Sequence, residues 1–128
     1  MRKQHSIVIG QRRGILLLPE ESKYVVFNPM ERTLFRLFLA HPEGIAADQL
    51  LAHWQELRHI YEQESCFDDK HLRDNAMESL CSESKKVFYA TVSRIKKKFV
   101  SALGARKAAP YIIKRTPSGP YRTRATLR

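Results

Sequence analysis

Residues 85–104 read KKVFYATVSRIKKKFVSALG, a stretch in which two kinds of side chain recur at helical spacing. At about 100° per residue, its apolar residues fall on one face of a helix. This apolar stripe consists of Phe88, Val92, Ile95, Phe99 and Leu103. The opposite face has three cations, two hydroxyls and one alanine, namely Lys86, Ala90, Ser93, Arg94, Lys97 and Ser101. The pattern therefore predicts an amphipathic helix with a buried face and a cationic face.

The cationic face contains no acid, which is unusual for a helix that contacts only water. Such a helix commonly mixes charges, because ion pairs between residues four apart stabilise it. A cationic helix with a small central residue can instead enter the major groove of DNA, where phosphates lie close on both sides. The alternative is a solvated basic face on an ordinary core helix. The stretch alone leaves both interpretations open.

The charge of the whole chain is segregated along its length. The net charge over 128 residues is +10, but residues 41–84 hold 10 acids against 3 lysines and arginines. Residues 1–40 hold 3 acids against 7 cations, and residues 85–128 hold 13 cations and no acid. Such segregation concerns partners rather than fold. The C-terminal third is expected to bind a polyanion, and the acidic middle to avoid it or to bind something basic.

Length and composition set the class of protein. A chain of 128 residues with 43% hydrophobic residues can form one domain with its own core. The longest apolar run, Ile15 to Leu18, is far too short to cross a membrane, and no apolar segment of a secretory signal follows the N-terminus. The two cysteines, Cys66 and Cys81, make no disulfide framework. We expect no membrane partner and a reduced, cytoplasmic location.

The N-terminal region predicts a small antiparallel sheet followed by two helices. Strands are predicted at 6–9, 15–18 and 24–27, since each run is short, mostly apolar and ends at a turn. Asn28 and Glu31 have the spacing of a capping box, with Pro29 at the first helical position.

The first of these helices is expected to bury Leu34, Phe35, Phe38 and Leu39. A second helix is predicted from about Ala47 to Glu64, although Ala46 is a poor cap. Trp54 and Phe38 lie at core spacing and are expected at the centre of the hydrophobic core.

The remaining elements surround the cationic helix. An extra short helix is predicted between His71 and Leu80, and Ser82 or Ser84 is expected to cap the helix that Gly104 ends. Residues 105–110 are expected to form a basic loop. Runs at 111–114 and 121–123, separated by a turn rich in proline and glycine, predict a β-hairpin. The final residues are expected to fray.

Four stretches carry a resemblance to a known family. Residues 28–38 (NPMERTLFRLF), 41–51 (HPEGIAADQLL), 88–99 (FYATVSRIKKKF) and 119–122 (GPYR) occur in the order of its motifs. The chain resembles the DNA-binding effector domain of OmpR/PhoB-class response regulators. Its acidic link between the second and third main helices is longer than the family's. Whether the chain is a stand-alone regulator or part of a longer one stays open.

The resemblance implies an α+β fold, a winged helix-turn-helix. It would have an N-terminal antiparallel β-sheet, three main helices, an extra short helix in an acidic insertion and a C-terminal β-hairpin. One domain would cover residues 1–128. Its parts would be a small β-sheet (1–27), the first two helices (28–64), the acidic insertion (65–84), the recognition helix (85–104) and the wing hairpin (105–124).

The function that the resemblance implies is that of a sequence-specific regulator of transcription that binds double-stranded DNA. The recognition helix would enter the major groove, and the wing would lie on the backbone or in the minor groove. Arg94 would contact a base, since a guanidinium binds guanine bidentately, and Ala90 would let the helix sit deep. The other DNA-binding residues would be Lys86, Ser93, Lys97, Lys98, Lys114, Arg115, Arg122 and Arg124.

A protein-interaction module without DNA affinity is the main alternative, because a fold does not determine its function. The acidic insertion would then bind RNA polymerase or another protein. The residues expected to contact that partner are Asp68, Asp69, Asp74 and Glu78. A solvated insertion, an autoinhibitory segment that folds onto the basic helix, and a homodimer are also left open.

Catalytic and metal motifs are missing from the sequence. Cys66, His71 and Cys81 lack metal-ligand spacing, and His53 and His59 are six residues apart, so they do not share a helix face. There is no glycine-rich phosphate loop and no nucleophile motif. We therefore expect no enzyme activity, no catalytic residue, no cofactor and no metal. RNA binding is a minor alternative.

Overall fold

The computed structural model describes residues 5–10, 14–65 and 70–128, with the backbone alone for residues 70–73. The fold is α+β, with a small sheet, several helices and a C-terminal hairpin. The predicted partner-binding residues Asp68 and Asp69 lie outside the described residues, as does Cys66. Across the described ranges, no helix combines the length and the apolar character needed to cross a bilayer.

The N-terminal sheet begins with three antiparallel strands, as predicted. They are β1 (Ser6–Ile9), β2 (Ile15–Leu18) and β3 (Lys23–Val26), and β3 lies one residue earlier than expected. A turn of 3₁₀ helix, Pro19–Glu21, joins β2 to β3. The face that meets the helices is apolar and consists of Ile7, Leu16, Leu18 and Val25, all buried.

Helix α1 (Pro29–Ala40) starts where the capping box predicts. The Glu31 amide donates to Asn28 Oδ1 at 2.8 Å, and the Asn28 amide donates to Glu31 Oε1 at 2.9 Å. Two backbone donors that the helix leaves unpaired are thereby satisfied. The predicted stripe of Leu34, Phe35, Phe38 and Leu39 is buried.

The predicted second helix is divided into two parts. Residues Ala47–His53 form a 3₁₀ helix, and α2 (Trp54–Glu64) continues from it. Ala46 precedes the 3₁₀ helix and offers no side-chain cap, as expected for alanine. The tighter hydrogen bonding of 3₁₀ turns is common at helix ends, and here it extends over two turns.

Helix α3 (Lys70–Leu80) is the extra helix predicted in the acidic insertion. Its Met77 and Leu80 side chains are fully buried, so the helix belongs to the packed domain. The Asp74 carboxylate also pairs with Arg58 of α2 at 3.0 Å.

Helix α4 (Lys86–Leu103) follows and ends at Gly104, as predicted. The prediction that Ser82 or Ser84 caps this helix is wrong. Lys85 occupies the cap position with a left-handed backbone (φ 58°) and no side-chain hydrogen bond. The two serine hydroxyls hydrogen-bond each other instead, at 3.1 Å.

The region after α4 differs from its prediction at two points. Residues Ala105–Ala108 form a short helix, α5, which buries Ala108, where a loop was expected. The hairpin strands are β4 (Lys114–Arg115) and β5 (Tyr121–Arg122), shorter than predicted. Residues 111–113 are all buried and precede the strand. A strand with one solvated face exposes alternate side chains, so three consecutive buried residues do not fit one.

The last strand, β6 (Thr126–Leu127), pairs in parallel with β1 and completes the order β3-β2-β1-β6. The Thr126 amide donates to the His5 carbonyl at 3.0 Å, and the Arg128 amide donates to the Ile7 carbonyl at 2.8 Å. The prediction that the final residues fray is therefore wrong, because they satisfy the free edge of β1.

The centre of the core is a cluster of four aromatic rings. Phe99 lies 5.6 Å from Phe27, 5.3 Å from Phe35 and 5.4 Å from Tyr111, measured between ring centroids. These rings join the sheet, α1, α4 and the segment before the hairpin. Phe38 is fully buried, as predicted.

The predicted central role of Trp54 is wrong. Its side chain is only half-buried at the surface, and Leu51 beside it is 65% exposed. Helical spacing correctly gives the face that a residue lies on, but the depth of that face depends on the elements that cover it.

Candidate nucleic-acid interface

Helix α4 has one face in the core and one in solvent. Phe88, Ile95 and Phe99 are fully buried, and the buried Thr91 hydroxyl donates to the Val87 carbonyl at 2.7 Å. These contacts determine the rotation of the helix about its axis. The exposed face consists of Lys86, Ala90, Ser93, Arg94, Lys97 and Ser101.

The charge of this face comes from three exposed cations. Within the described parts of the chain, the charged groups of Lys86, Arg94 and Lys97 form no ion pair with a carboxylate. Three unpaired like charges along one side of a helix repel each other. A bound polyanion would relieve that repulsion.

Lys98 is different from its neighbour Lys97. Its ammonium group pairs with the carboxylate of Glu31 and lies 5.7 Å from the centroid of the Phe27 ring. The Glu31 side chain is 1% exposed and belongs to the capping box of α1. Lys98 therefore neutralises a buried carboxylate of the scaffold, whereas Lys97 is exposed to solvent.

The hairpin presents a second group of cations. Lys114 lies directly opposite Arg122, and both side chains are exposed. Like charges opposite each other in a strand pair are destabilising. A pocket of about 390 Å³ lies against this hairpin, and its charged lining residues are all cations, namely Lys114, Arg115, Arg122 and Arg124. Such a pocket suits an anionic group.

Tyr121 holds the hairpin against the start of α4. Its ring centroid lies 5.2 Å from that of Phe88 and 6.4 Å from that of Tyr89. Burial raises the pKa of the Tyr121 phenol, and the neighbouring Tyr89 acts in the same direction. The Ile45 amide also donates to the Tyr121 carbonyl at 2.8 Å, and the Tyr121 amide donates back at 2.9 Å.

Gly44 allows this close approach of the hairpin. Its φ is +97°, a conformation that side chains disfavour, and a Cβ atom there would lie 2.7 Å from the Tyr121 carbonyl oxygen. The requirement for glycine at position 44 follows from both the backbone angle and the available space.

One depression lies between the start of α4 and the hairpin. Lys85 and Tyr89 from the start of α4 and Arg115 from the hairpin line the same open groove of about 480 Å³. Asp48, near the start of the 3₁₀ helix, is also part of its lining. Two groups of exposed cations, on α4 and in the hairpin region, are together called the cationic surface, and the contact of Tyr121 with Phe88 joins the two elements. The cationic surface consists of Lys86, Arg94, Lys97, Lys114, Arg115, Arg122 and Arg124.

The predicted acidic partner site is only partly described. Asp74 is paired with Arg58, while Glu78 is exposed. Glu78 lines a shallow depression of about 280 Å³ together with Leu51, Trp54 and Cys81. Cys81 is a free, half-buried cysteine, and burial raises the pKa of its thiol.

One constellation was missed by sequence reasoning. The side chains of His41, His53 and Glu56 lie together where α1 ends and α2 begins, with their ligand atoms within 4.8 Å of one another. The spacing of His53 and Glu56, three residues apart, was a local signal for part of it. His41 is 12 residues before His53 in the chain, and only the turn between the helices brings it near.

Comparison with known proteins adds no family to these observations. The chain matches no protein-family model, no curated protein and no solved structure.

Proposed function

We propose that the protein is a winged helix-turn-helix regulator of transcription that binds double-stranded DNA in a sequence-specific manner. Helix α4 would be the recognition helix in the major groove. The β4–β5 hairpin would be the wing, placed on the backbone or in the minor groove. The observation that carries this proposal is the cationic surface, which lies in a C-terminal third without any acid.

The order and packing of the elements support the winged-helix part of the proposal. Helices α1, α2 and α4 precede a hairpin, and Ile45, between the first two helices, pairs with the hairpin strand at Tyr121. These backbone hydrogen bonds hold the hairpin against the segment that connects the two helices. A rigid wing beside a recognition helix can contact a duplex in a defined orientation.

Dimensions and charge support the placement of α4. A helix about 10–12 Å in diameter fits a major groove about 12 Å wide. Lys86 and Lys97 are 11 residues apart, which is about 16 Å along the axis, and they could contact phosphates on both sides of the groove. Ala90 and Ser93 lie between them and are small enough for close approach.

The roles of individual residues follow from their chemistry. The Arg94 guanidinium is exposed at the middle of the face, and it is suited to bidentate contact with guanine. Ala90 could pack against a thymine methyl group. Lys86, Lys97 and the four hairpin cations suit phosphates, which position the protein on the duplex without reading the sequence.

A salt titration tests DNA binding directly. Affinity for a random-sequence duplex should fall by about 0.9 log units per log unit of salt for each phosphate neutralised. With about five contacts, a rise from 50 to 200 mM salt should weaken binding by roughly 10²–10³-fold. Fluorescence anisotropy with a labelled duplex measures this slope. Affinity that does not change over this range would contradict the proposal.

A selection experiment tests the sequence-specific part. Enrichment of duplexes from a random library should yield a consensus site, bound at least tenfold more tightly than the unselected pool. If no consensus emerged but the salt slope were steep, the protein would bind DNA without sequence preference, which would contradict the sequence-specific part of the proposal.

The second candidate is a protein-interaction module that docks through the acidic insertion. The exposed Leu51, the half-buried Trp54 and the exposed Glu78 line one depression beside α3, which favours this alternative. Purified RNA polymerase is the partner to test. Binding that is lost in a Leu51→Glu, Glu78→Lys double variant, with no DNA affinity at low salt, would replace the first candidate by this one.

A further inference from the structure

We propose that His41, His53 and Glu56 form a binding site for a zinc ion. The three side chains come from three successive elements. His41 follows the end of α1, His53 ends the 3₁₀ helix, and Glu56 lies in the first turn of α2. This inference does not depend on the proposed function, since none of the three belongs to the cationic surface.

The ligand atoms of the three side chains lie close enough together to share one ion, within 4.8 Å of one another. His41 Nε2 lies 2.7 Å from Glu56 Oε1, and His53 Nδ1 lies 3.5 Å from the same oxygen. Zinc bonds of about 2.0–2.2 Å place tetrahedral ligand atoms about 3.3–3.6 Å apart. The separation of His53 from Glu56 already fits this spacing, whereas His41 Nε2 and Glu56 Oε1 would have to move apart by about 0.6 Å.

The chemistry of the ligand set points to zinc rather than to magnesium or calcium. Two imidazoles and one carboxylate are typical zinc ligands, whereas magnesium and calcium prefer oxygen atoms alone. Three protein ligands leave a fourth position for water. The side chains of His41 and His53 are 22% and 26% exposed, and that of Glu56 is 38% exposed, so an ion can enter from solvent.

Glu43 contacts the second ring nitrogen of His41, as carboxylates commonly do for histidines that bind metals. Its Oε1 lies 3.1 Å from His41 Nδ1 and can accept that nitrogen's hydrogen. This hydrogen bond would hold Nδ1 as the protonated nitrogen and leave the Nε2 lone pair facing Glu56. The charges also balance, because two neutral imidazoles, two carboxylates and Zn²⁺ sum to zero.

The other interpretation of this cluster is a set of histidine–carboxylate hydrogen bonds with a proton where the metal would be. The two interpretations differ in what zinc does to the protein. A zinc ion that binds only the folded state stabilises it by mass action. If the cluster is only hydrogen-bonded and has no metal affinity, added zinc does not change the stability of the folded state.

The test is a zinc titration of the metal-free full chain by calorimetry, followed by thermal unfolding with and without zinc. We expect one zinc per chain and a higher melting temperature. His53→Gln and Glu56→Gln should each weaken zinc binding at least tenfold. His59→Gln is the matched control, because His59 is an exposed histidine of α2 outside the cluster, and it should bind zinc like the original chain.

Controls for folding and for metal specificity accompany the zinc titration. Circular dichroism of each metal-free variant checks that it folds, and His53→Gln decides the test if Glu56→Gln does not fold. Magnesium should produce no heat. The proposal is overturned if the original chain binds no zinc, or if His53→Gln binds it as tightly. It is also overturned if binding is lost only when Cys66 and Cys81 are replaced by serine.

Discussion

The ring of Tyr121 lies edge-on against the ring of Phe88, with centroids 5.2 Å apart and ring planes at 90°. Edge-to-face packing of this kind is favourable beyond the area that it buries. Phe88 is in the first turn of α4 and Tyr121 is in the second strand of the hairpin. This contact therefore joins the two cationic elements and helps to place them relative to each other.

Replacing Tyr121 by alanine should loosen the hairpin from α4. The ring is partly buried, so Tyr121→Ala should lower the free energy of unfolding by about 1–3 kcal/mol, measured by urea denaturation. Tyr121→Phe keeps the ring and should stay within about 0.5 kcal/mol of the original protein. Equal losses in both variants would show that the hydroxyl, and not ring packing, carries the contact.

Arg94 should determine sequence preference if the proposed function is correct. Arg94→Ala should weaken binding to the selected site by about 1–3 kcal/mol and change the affinity for random duplex much less. The physical reason is that a base contact exists only with the right base, whereas a phosphate contact exists with every sequence. Equal loss on both duplexes, measured by anisotropy at fixed salt, would remove the base-reading role.

Lys97 and Lys98 are adjacent in the chain and should behave in opposite ways. Lys98→Met removes the cation that neutralises the buried Glu31 carboxylate, so it should destabilise the fold by about 1–3 kcal/mol. Lys97→Met should change stability by less than about 0.5 kcal/mol but reduce the salt slope of DNA binding by about 1. Urea denaturation and salt titration of both variants form a matched pair. The same stability loss in both would contradict the scaffold role of Lys98.

Trp54 should matter less to stability than its size suggests. Because its ring is only half-buried, Trp54→Ala should cost about 1–2 kcal/mol, whereas Phe99→Ala should cost about 3–5 kcal/mol. Trp54 is the single tryptophan of the chain, so circular dichroism rather than fluorescence should follow unfolding. A loss at Trp54 equal to that at Phe99 would mean that Trp54 is part of the main core after all.

Tyr111 should make stability depend on alkaline pH. Burial raises the pKa of Tyr111 to about 12, and the nearby carboxylates of Glu21 and Glu20 act in the same direction. Because this pKa lies above the ordinary value of about 10, the protonated phenol stabilises the folded state relative to the unfolded state. This stabilisation is complete below pH 10 and is lost as the pH rises towards 12.

The variant Tyr111→Phe tests this dependence. Among the described residues, the Tyr111 hydroxyl has no hydrogen-bond partner, so its removal should cost little or nothing at pH 7. Between pH 10 and 11 the stability of Tyr111→Phe should fall less steeply than that of the original protein. Urea denaturation at pH 7, 10 and 11 measures both. If the free energy of unfolding fell equally with pH in Tyr111→Phe and in the original protein, burial would not raise the pKa of Tyr111 as described.

The candidate interface was predictable in part from sequence because its features are local. Caps act between residues three apart, so Asn28 and Glu31 predicted the start of α1. Helical periodicity predicted which side of α4 is buried, and therefore that Arg94 and Lys97 are exposed. The segregation of acids from cations along the chain is visible in the sequence itself.

Features that depend on distant contacts could not be predicted in this way. The partner of Lys98 is 67 residues away in the chain, and the β6 strand pairs with β1 across nearly the whole sequence. The depth of Trp54 depends on which elements cover it. His41 joins His53 and Glu56 only because the turn after α1 brings two helix ends together.

The sequence by itself determined the elements, their faces and the gathering of positive charge in the last third, because these follow from interactions between near neighbours in the chain. The tertiary structure alone decided which of those charges are free, by placing Glu31 beneath Lys98 and leaving Lys97 uncovered. The reason is physical: an ion pair or a metal site requires atoms within a few ångströms of each other. For residues far apart in the chain, that proximity is created only by folding.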